Sequence, residues 1–364
     1  LAPSQLAMCF ACQAILSPEE QRSPQFMEGV SCPRCYHPLD DEQAALLNRR
    51  HDRLREVTSP LPGSAPYDNI RPIRVPQQYD GAEVLEFLDA IHTRLSRGEW
   101  EEVIGRGELM IHNEQVTPGR TLHAGERLLH HIPATVEPDV NAAIEILHED
   151  DALVVVNKPA PLPMHPCGRF NRNTLAYMLE EVYAPTRLRA AHRLDADTTG
   201  AVVLCKTRQI AALLHDQFVA GKVAKQYLAR VHGKPGSANF ECHEPIADSP
   251  GPDGVRLLDE QGAPASTRFE VLHAFDDGTT LLNVQPLSGR TNQIRVHLWS
   301  LGLPIVGDPI YFPGNQVAPA RTRDLDAPPL CLHASSIELT HPLTRQTTSY
   351  NAPAPEWARH IKTV

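Results

Sequence analysis

Short apolar segments, separated by turn residues, fill the chain from residue 141 onward. Each has the length of a buried or half-buried strand, and two amphipathic helical patterns, "TLAYMLEEVY" and "TRQIAALLHDQFVAG", lie among them. The strand-like segments include "DALVVVNKP", "GAVVLCK", "KQYLARVHG", "STRFEVLHAF", "TTLLNVQPL" and "LCLHASSIELTHP". This mixture predicts an α+β domain built around a large, mainly antiparallel sheet.

The N-terminal region carries four cysteines in two C-x2-C pairs, Cys9 with Cys12 and Cys32 with Cys35. Each pair can point two thiolates at one ion, and four thiolates satisfy tetrahedral zinc. We expect a zinc-ribbon-like module over residues 1–47; redox-active or incidental cysteines are the alternative. A closed four-thiolate site leaves no open position for water, so this structural zinc has no predicted catalytic role.

A linker and a small domain are predicted to follow the cysteine-rich module. Residues 48–75 include the loop-forming stretch "TSPLPGSAP", whereas residues 76–138 combine two short helical patterns with paired strand-like segments. The order of these elements resembles the small ribosomal-protein-type RNA-binding domain, with "IHNEQV" and "TLHAGERL" matching its tail. An unrelated α+β domain is the alternative.

Composition restricts the partners of the chain without identifying them. The formal net charge is −10, yet 12 Lys and Arg face 5 Asp and Glu between Lys158 and Lys234. A locally basic segment is compatible with a polyanion site, or with an ordinary solvated surface. No apolar run approaches membrane-spanning length and no signal peptide is recognisable, so we expect a cytoplasmic protein without a membrane partner.

The stretch "HRLDADTTG" places the carboxylate of Asp195 in a loop that leads through Gly200 into the buried strand "AVVLCK". Loop carboxylates beside Thr residues are usually turn formers that bind their own backbone. On local grounds, therefore, a structural and a catalytic role for Asp195 both remain open.

Five segments resolve this choice, because together they resemble the RluA-type RNA pseudouridine synthases. "HRLDADTTG" is similar to the signature loop H-R-L-D-x-x-T-S-G of that family. The segments "EDDALVVVNKPAPLPMHP", "KVAKQYLARVHG", "LSGRTNQIRVHLWSLGLPIVGDPIY" and "LCLHASSIELTHPLT" resemble its other motifs, in the same order. Asn292 replaces a common His and Thr199 a usual Ser. The resemblance implies a pseudouridine synthase catalytic domain over residues 139–364.

The resemblance also implies the chemistry and its residues. Isomerising uridine adds and removes no atoms or electrons, so no cofactor is needed for catalysis. Asp195 maps onto the catalytic carboxylate, Arg295 onto its salt-bridge partner and Tyr227 onto the active-site tyrosine. Arg can grip a carboxylate at two points, and a phenol can stack on uracil and relay a proton. A surface charge on an edge strand and a core tyrosine are the respective alternatives.

RNA contacts are predicted for a set of basic residues around these motifs. They are Arg193, Lys158, Arg169, Arg172 and Arg290. Arg193 is expected either to fill the space left by an extruded base or to bind phosphate. Lys158, in a Lys-Pro pair, is also expected to shape the floor of the pocket. Four histidines inside the matched segments are interpreted as hydrogen-bonding scaffold; they are His165, His192, His297 and His333.

Together these expectations indicate an RNA-modifying enzyme, and we expect it to be a monomer. The segment "HPCGRFNRNTL" resembles the eukaryotic-type branch of the family more than its ribosomal-RNA branches, and this resemblance implies tRNA rather than rRNA as the substrate. A catalytically inactive RNA-binding or chaperone protein is the alternative, while a zinc deaminase lacks the H-x-E and P-C-x-x-C pattern it needs. The cysteine-rich segment also resembles the tail of rhodanese-type tRNA uridine hydroxylases, so a longer natural fusion is a further hypothesis.

Overall fold

The computed structural model describes residues 7–8, 15–22, 41–91, 95–251, 254–319 and 323–358. The chain divides into two compact units. The large unit takes its described residues from 1–62 and 139–364, and the small unit is Gly63–Pro138. Within the described residues, no helix is both long and apolar enough to cross a bilayer.

The helices and strands of the described residues are as follows. The helices are α1 (Pro18–Gln21), α2 (Asp41–Thr58), α3 (Val84–Ile91), α4 (Arg97–Gly105), α5 (Leu175–Tyr183), α6 (Arg208–Val219) and α7 (Gln293–Ser300). The strands are β1 (Ala7–Met8), β2 (Ile15–Leu16), β3 (Tyr67–Arg74), β4 (Leu109–Ile111), β5 (Glu114–Gln115), β6 (Arg127–Thr135), β7 (Glu145–Glu149), β8 (Leu153–Lys158), β9 (Arg189–Ala190), β10 (Thr199–Cys205), β11 (Ala224–His232), β12 (Asn239–Cys242), β13 (Thr267–Ala274), β14 (Thr279–Pro286), β15 (Tyr311–Phe312), β16 (Gln316–Val317), β17 (Leu332–Thr340) and β18 (Thr347–Asn351).

A ten-stranded mixed sheet organises the large unit. Its main path runs β12-β13-β14-β11-β17-β10-β8-β7, with β18 paired to β17 and β9 to β10. Within it, β10 and β17 pair in parallel and the other pairings are antiparallel. The predicted α+β class and large, mainly antiparallel sheet are therefore confirmed.

Alternation along β8 shows why the centre of this sheet is buried on both faces. Val154 and Val156 belong to one apolar cluster together with residues of α2 and α5. Leu153 and Val155 belong to a second cluster, together with residues of α6. Because successive side chains of a strand point to opposite faces, a continuous apolar run fills two cores at once.

Helix α2 is part of the large unit, where its Arg50 pairs with the buried carboxylate of Glu149 at 3.0 Å. Glu149 also accepts hydrogen bonds from Lys206 and Tyr183. The sequence prediction placed a boundary at residues 47 and 48, and α2 runs across it because its apolar face packs on the large-unit core. The four cysteines of the predicted zinc module lie outside the described residues.

The small unit contains the predicted helices and paired strands, and one further strand. Its sheet has the order β3-β6-β4-β5, and Val84, Leu88 and Trp100 are buried beneath it. The unit begins at Gly63, whereas the sequence prediction begins it at residue 76. The difference arises because β3, which lies in the predicted linker, pairs with β6.

The junction between the Asp195 loop and β10 requires a glycine. Gly200 has a φ of +115°, and it faces Ala334 across the parallel pair of β10 and β17. A Cβ atom at this position would lie 2.2 Å from the carbonyl oxygen of Ala334. Glycine therefore permits both the backbone conformation and the close approach of two central strands.

We predict that Gly200→Ala lowers the free energy of unfolding by at least about 2 kcal/mol, since it adds backbone strain and overpacking, each costing roughly 1–3 kcal/mol. Chemical denaturation of the purified variant measures the loss. Gly236→Ala is the matched control, because nothing lies within 4 Å of its Cβ position. Equal stabilities of the two variants would contradict the prediction.

Candidate active site

The Asp195 loop is held by its backbone between β9 and β10. Thr198 donates its N–H to the carbonyl of Asp195 at 3.1 Å, which closes a turn. The carbonyl of Ala196, the residue after Asp195, accepts hydrogen bonds from the Leu162 N–H at 2.9 Å and from the Lys158 ammonium at 3.0 Å. The Asp195 side chain is 26 % exposed. The loop thus presents a partly open carboxylate from a fixed backbone.

Arg295 lies on helix α7, where it is 4 % exposed. The helix begins after Asn292, whose φ of 57° is in the left-handed region that Asn tolerates. The Asn292 side chain accepts a hydrogen bond from Arg295 at 3.2 Å and donates one to the Tyr311 hydroxyl at 3.3 Å. The alternative of a surface charge on an edge strand is wrong, because Arg295 is helical and buried.

The guanidinium of Arg295 joins two carboxylates. Its Nε and Nη2 donate to the two oxygens of Asp308, both at 2.8 Å. Its Nη1 lies 3.7 Å from Asp195 Oδ2. The predicted ion pair with Asp195 is present, but the two parallel hydrogen bonds of the guanidinium are made with Asp308. Burial disfavours the charge on Arg295, yet the hydrogen bonds and the negative charges of Asp308 and Asp195 outweigh it, so the pKa of Arg295 is raised.

Tyr227 is positioned by β11, which pairs with β14 and β17. Burial raises the pKa of its hydroxyl above the ordinary value, and the negative charge of Asp195 raises it further. The group therefore stays a neutral phenol, which can stack on an apolar ring and donate a proton.

One cavity of about 850 Å³ joins these side chains. Asp195, Tyr227, Arg295, Arg193 and Arg290 all line it, so five of the predicted site residues come together. Lys222 and Lys225 also line the cavity, and Asp195 is the single carboxylate among its lining residues in the described part of the chain. The surplus of cations favours a polyanionic ligand, since such charges attract phosphate groups.

Three predicted RNA-contacting residues lie away from this cavity. The structure corrects the expectation for Lys158, which is fully buried and donates hydrogen bonds to the carbonyls of Pro159, Leu162 and Ala196. Burial lowers the pKa of Lys158 to about 7 against the negative charges of Asp197 and Asp195. Through its hydrogen bond to the carbonyl of Ala196, Lys158 supports the Asp195 loop from the protein interior, and it does not itself line the cavity as the expected pocket floor.

The other two residues are Arg169 and Arg172, and neither lines the cavity. Arg169 is exposed, whereas the Arg172 guanidinium stands 5.9 Å from the centre of the Tyr177 ring. A local excess of positive charge in the sequence therefore does not identify the residues that converge on one site.

The histidines of the matched segments serve mainly as hydrogen-bonding scaffold. His297 bonds to the Thr267 hydroxyl and to the carbonyl of Glu244, both at 2.9 Å. His333 bonds to the Thr199 hydroxyl at 2.8 Å, and His192 accepts the N–H of Val203 at 3.1 Å. His165 is exposed. Among the described residues, no group of three or more His, Cys, Asp or Glu side chains could hold a metal ion.

Sequence reasoning missed two site residues, Asp308 and Lys225. Asp308 stands in "GDPIY" and Lys225 in "AKQYLARV", so both fall inside segments that carry the family resemblance. The position of each in a matched motif was a usable signal. Their contacts, in contrast, depend on segments distant in the sequence.

Comparison with known proteins identifies the family of the chain. Residues 152–300 match the family model described as RNA pseudouridylate synthase. The chain is 36 % identical over 210 residues to the dual-specificity RNA pseudouridine synthase RluA of Escherichia coli, covering 57 % of this chain and 92 % of that protein. It is 33 % identical over 221 residues to the mitochondrial tRNA pseudouridine(32) synthase of Saccharomyces cerevisiae, covering 58 % and 46 %.

A human relative, pseudouridylate synthase RPUSD2, is 39 % identical over 196 residues, which cover 53 % of this chain and 34 % of the relative. The chain thus spans about a third of that longer protein. The E. coli protein, by contrast, is matched over nearly its whole length. The match to the family model, residues 152–300, includes Asp195 and Arg295. The chain belongs to the RNA pseudouridylate synthase family.

Proposed function

We propose that this chain converts a uridine in structured RNA into pseudouridine without a cofactor, and that Asp195 is the catalytic carboxylate. The observation that carries the proposal is the placement of Asp195 in a cation-rich cavity, 3.7 Å from the buried guanidinium of Arg295. A protein that only binds RNA has no need of Asp195, Tyr227 and Arg295 together, so their convergence on one cavity supports catalysis over binding alone.

The reaction is an isomerisation, so its atoms balance within the nucleotide. The bond from N1 to C1′ breaks, the uracil turns, and a bond from C5 to C1′ forms, while the proton on C5 is lost and N1 gains one. A carboxylate suits this chemistry, because it can attack an electron-poor carbon or stabilise an oxocarbenium-like centre. Arg295 keeps a positive charge beside Asp195 throughout.

The remaining cavity residues fit the handling of an extruded base. Enzymes that act on a base in folded RNA take it out of its stack into a pocket. Tyr227 offers a ring on which uracil stacks and a hydroxyl that can relay a proton. Arg193, which is exposed at the cavity, would enter the vacated space or bind a neighbouring phosphate.

For the substrate we propose tRNA rather than rRNA. The segment "HPCGRFNRNTL" supports this choice, because it resembles the eukaryotic-type branch of the family, which acts on tRNA. The yeast relative is named as a tRNA enzyme, whereas the E. coli relative is named as dual-specificity. We further propose that the small unit binds a part of the RNA other than the target uridine. The support is the order of its helices and strands, which resembles the small ribosomal-protein-type RNA-binding domain.

We also propose that Cys9, Cys12, Cys32 and Cys35 hold one structural zinc ion. The support is their spacing, since two C-x2-C knuckles supply the four thiolates of a closed tetrahedral site. Such an ion would stabilise the N-terminal module and its contact with RNA, with no step of the isomerisation passing through it.

Asp195→Asn should abolish pseudouridine formation while preserving RNA binding, because the amide keeps the shape of the carboxylate and loses its charge. Pseudouridine mapping in total RNA compares cells that carry the wild-type gene, the variant, or no gene, and reads out the RNA class. Asp248→Asn, an exposed residue outside the cavity, is the matched control. Modification that persists in the Asp195→Asn strain would remove Asp195 from its role; wild-type protein that modifies no RNA would favour the inactive RNA-binding alternative.

Asp308→Asn should lower the free energy of unfolding by about 3–5 kcal/mol, because it leaves the buried Arg295 guanidinium without its main partner. Urea denaturation measures the effect. Glu56→Gln breaks an exposed pair with Arg53 of the same 2.8 Å length and should cost no more than about 1 kcal/mol. Similar losses in both variants would show that the Asp308 pair is not the central support.

Metal analysis of the purified full chain should find about one zinc ion per chain, as a four-thiolate site implies. Replacing Cys9 and Cys32 by Ser should remove the zinc and weaken stability or RNA affinity, with residual turnover on RNA at saturating concentration. Cys167→Ser, at an exposed free cysteine, should leave the zinc content unchanged. Retention of zinc by the double variant, or complete loss of turnover on chelation, would refute a structural site at these cysteines.

A further inference from the structure

Lys225 is a cation of the cavity to which the proposed reaction assigns no role. It lies on β11, two residues before Tyr227, and its ammonium donates a hydrogen bond to the carbonyl of Ser288 at 3.1 Å. Burial lowers the pKa of Lys225 below its ordinary value. The side chain is therefore partly removed from water at the wall of the cavity.

No carboxylate in the described part of the chain lies within 4.0 Å of the Lys225 ammonium. Two other lysines of the large unit have more complete sets of partners. Lys206 meets the carboxylate of Glu149 at 2.9 Å, and the fully buried Lys158 uses three carbonyls. Lys225 has one carbonyl for three donor hydrogens. A desolvated ammonium with spare donors and no counter-ion favours an anion in the adjoining space.

His192 adds a neutral donor to the same cavity wall. Its Nε2 accepts the N–H of Val203 at 3.1 Å, so in the neutral ring the hydrogen is on Nδ1. Burial lowers the pKa of His192 to about 3, and the positive charge of Lys225 contributes to this decrease. In the described residues, Nδ1 has no protein acceptor, which leaves its N–H available to a ligand.

We propose that the Lys225 ammonium and the His192 Nδ1–H form a phosphate subsite, which binds one particular backbone phosphate of the RNA beside the target uridine. The inference rests on the proposed function and names the part of the substrate that this wall of the cavity recognises. A phosphate fits better than a uracil carbonyl, because only a charged group compensates the ammonium, and its free oxygens can accept from both donors.

The subsite differs from the exposed cations at the same cavity. Lys222 and Arg290 are solvated and can attract any phosphate of a passing strand. Lys225 and His192 are fixed by the hydrogen bonds to Ser288 and Val203, so they define one position. This subsite therefore sets the register of the RNA, so that a single nucleotide reaches Asp195.

The test uses the full chain and a synthetic RNA hairpin with a uridine-rich loop. In separate hairpins, each loop phosphodiester in turn is replaced by a neutral methylphosphonate, and affinity is measured over a range of salt concentrations. With unmodified RNA, Lys225→Met should decrease the slope of log affinity against log salt by about 0.7, the value of one phosphate contact on a single strand. Lys225→Arg should retain the slope, and so should the control Lys234→Met at an exposed lysine outside the cavity.

The neutral linkages identify the phosphate without depending on a folded variant. For wild-type protein, one linkage should weaken binding more than the rest; for Lys225→Met and His192→Asn, the same linkage should cause no additional loss. The subsite would be refuted if, at every linkage, the neutral replacement lowered the RNA affinity of wild-type and Lys225→Met proteins by the same factor. Pseudouridine formation by the wild-type protein is measured separately. If the wild-type protein forms no pseudouridine, the proposed function is contradicted. If Lys225→Met shows the same linkage effects as wild type, only the subsite is contradicted.

Discussion

The buried pairing of Arg295 with Asp308 is the interaction on which the site depends. A guanidinium that is 4 % exposed needs a counter-charge, and Asp308, 1 % exposed, supplies it with two hydrogen bonds of 2.8 Å. Asp308 is itself fixed by the N–H groups of Ile310 and Tyr311. Because Asp308 satisfies Nε and Nη2, the contact with Asp195 is left to Nη1, at 3.7 Å. Asp195 is thus kept beside a positive charge while its oxygens stay free to meet a substrate.

The sheet brings the parts of the site together from distant segments. Tyr227 comes from β11, and the Asp195 loop leads into β10, on the other side of β17. The parallel contact of β10 with β17 is made at Thr199 and Gly200, directly after the loop. Close approach of these strands therefore fixes how far Asp195 stands from Tyr227, which explains why a position outside the cavity constrains the geometry inside it.

Much of the architecture and the central site residues could be predicted from sequence, since both depend on continuous segments. Apolar segments indicated the strands, and the resemblance of five segments to one family, rather than the Asp195 loop alone, indicated the central site residues. Interactions between segments could not be predicted in this way. The sequence predicts that Arg295 binds the carboxylate of Asp195 with two hydrogen bonds, whereas in the structure Asp308 accepts them. Tertiary packing decides which residues meet a side chain, and the sequence motif does not contain that information. The sequence predicts an RNA contact for Lys158, because a lysine in a basic segment is ordinarily solvated. In the structure three backbone carbonyls bind its ammonium in the interior instead. The strand β3 was missed, since Pro and Ser around it favoured a linker.

Electrostatics narrows the chemistry that this cavity can perform. Tyr227 stays protonated, because burial and the charge of Asp195 raise the pKa of its hydroxyl. His192 stays neutral and uses Nε2 to accept a backbone N–H, so its remaining nitrogen is a donor. Among the described lining residues, Asp195 is the one carboxylate, and its side chain is partly exposed to the cavity. A neutral phenol, a neutral imidazole donor and fixed cations around one carboxylate support the proposed assignment, in which Asp195 is the catalytic carboxylate and the other groups orient the RNA.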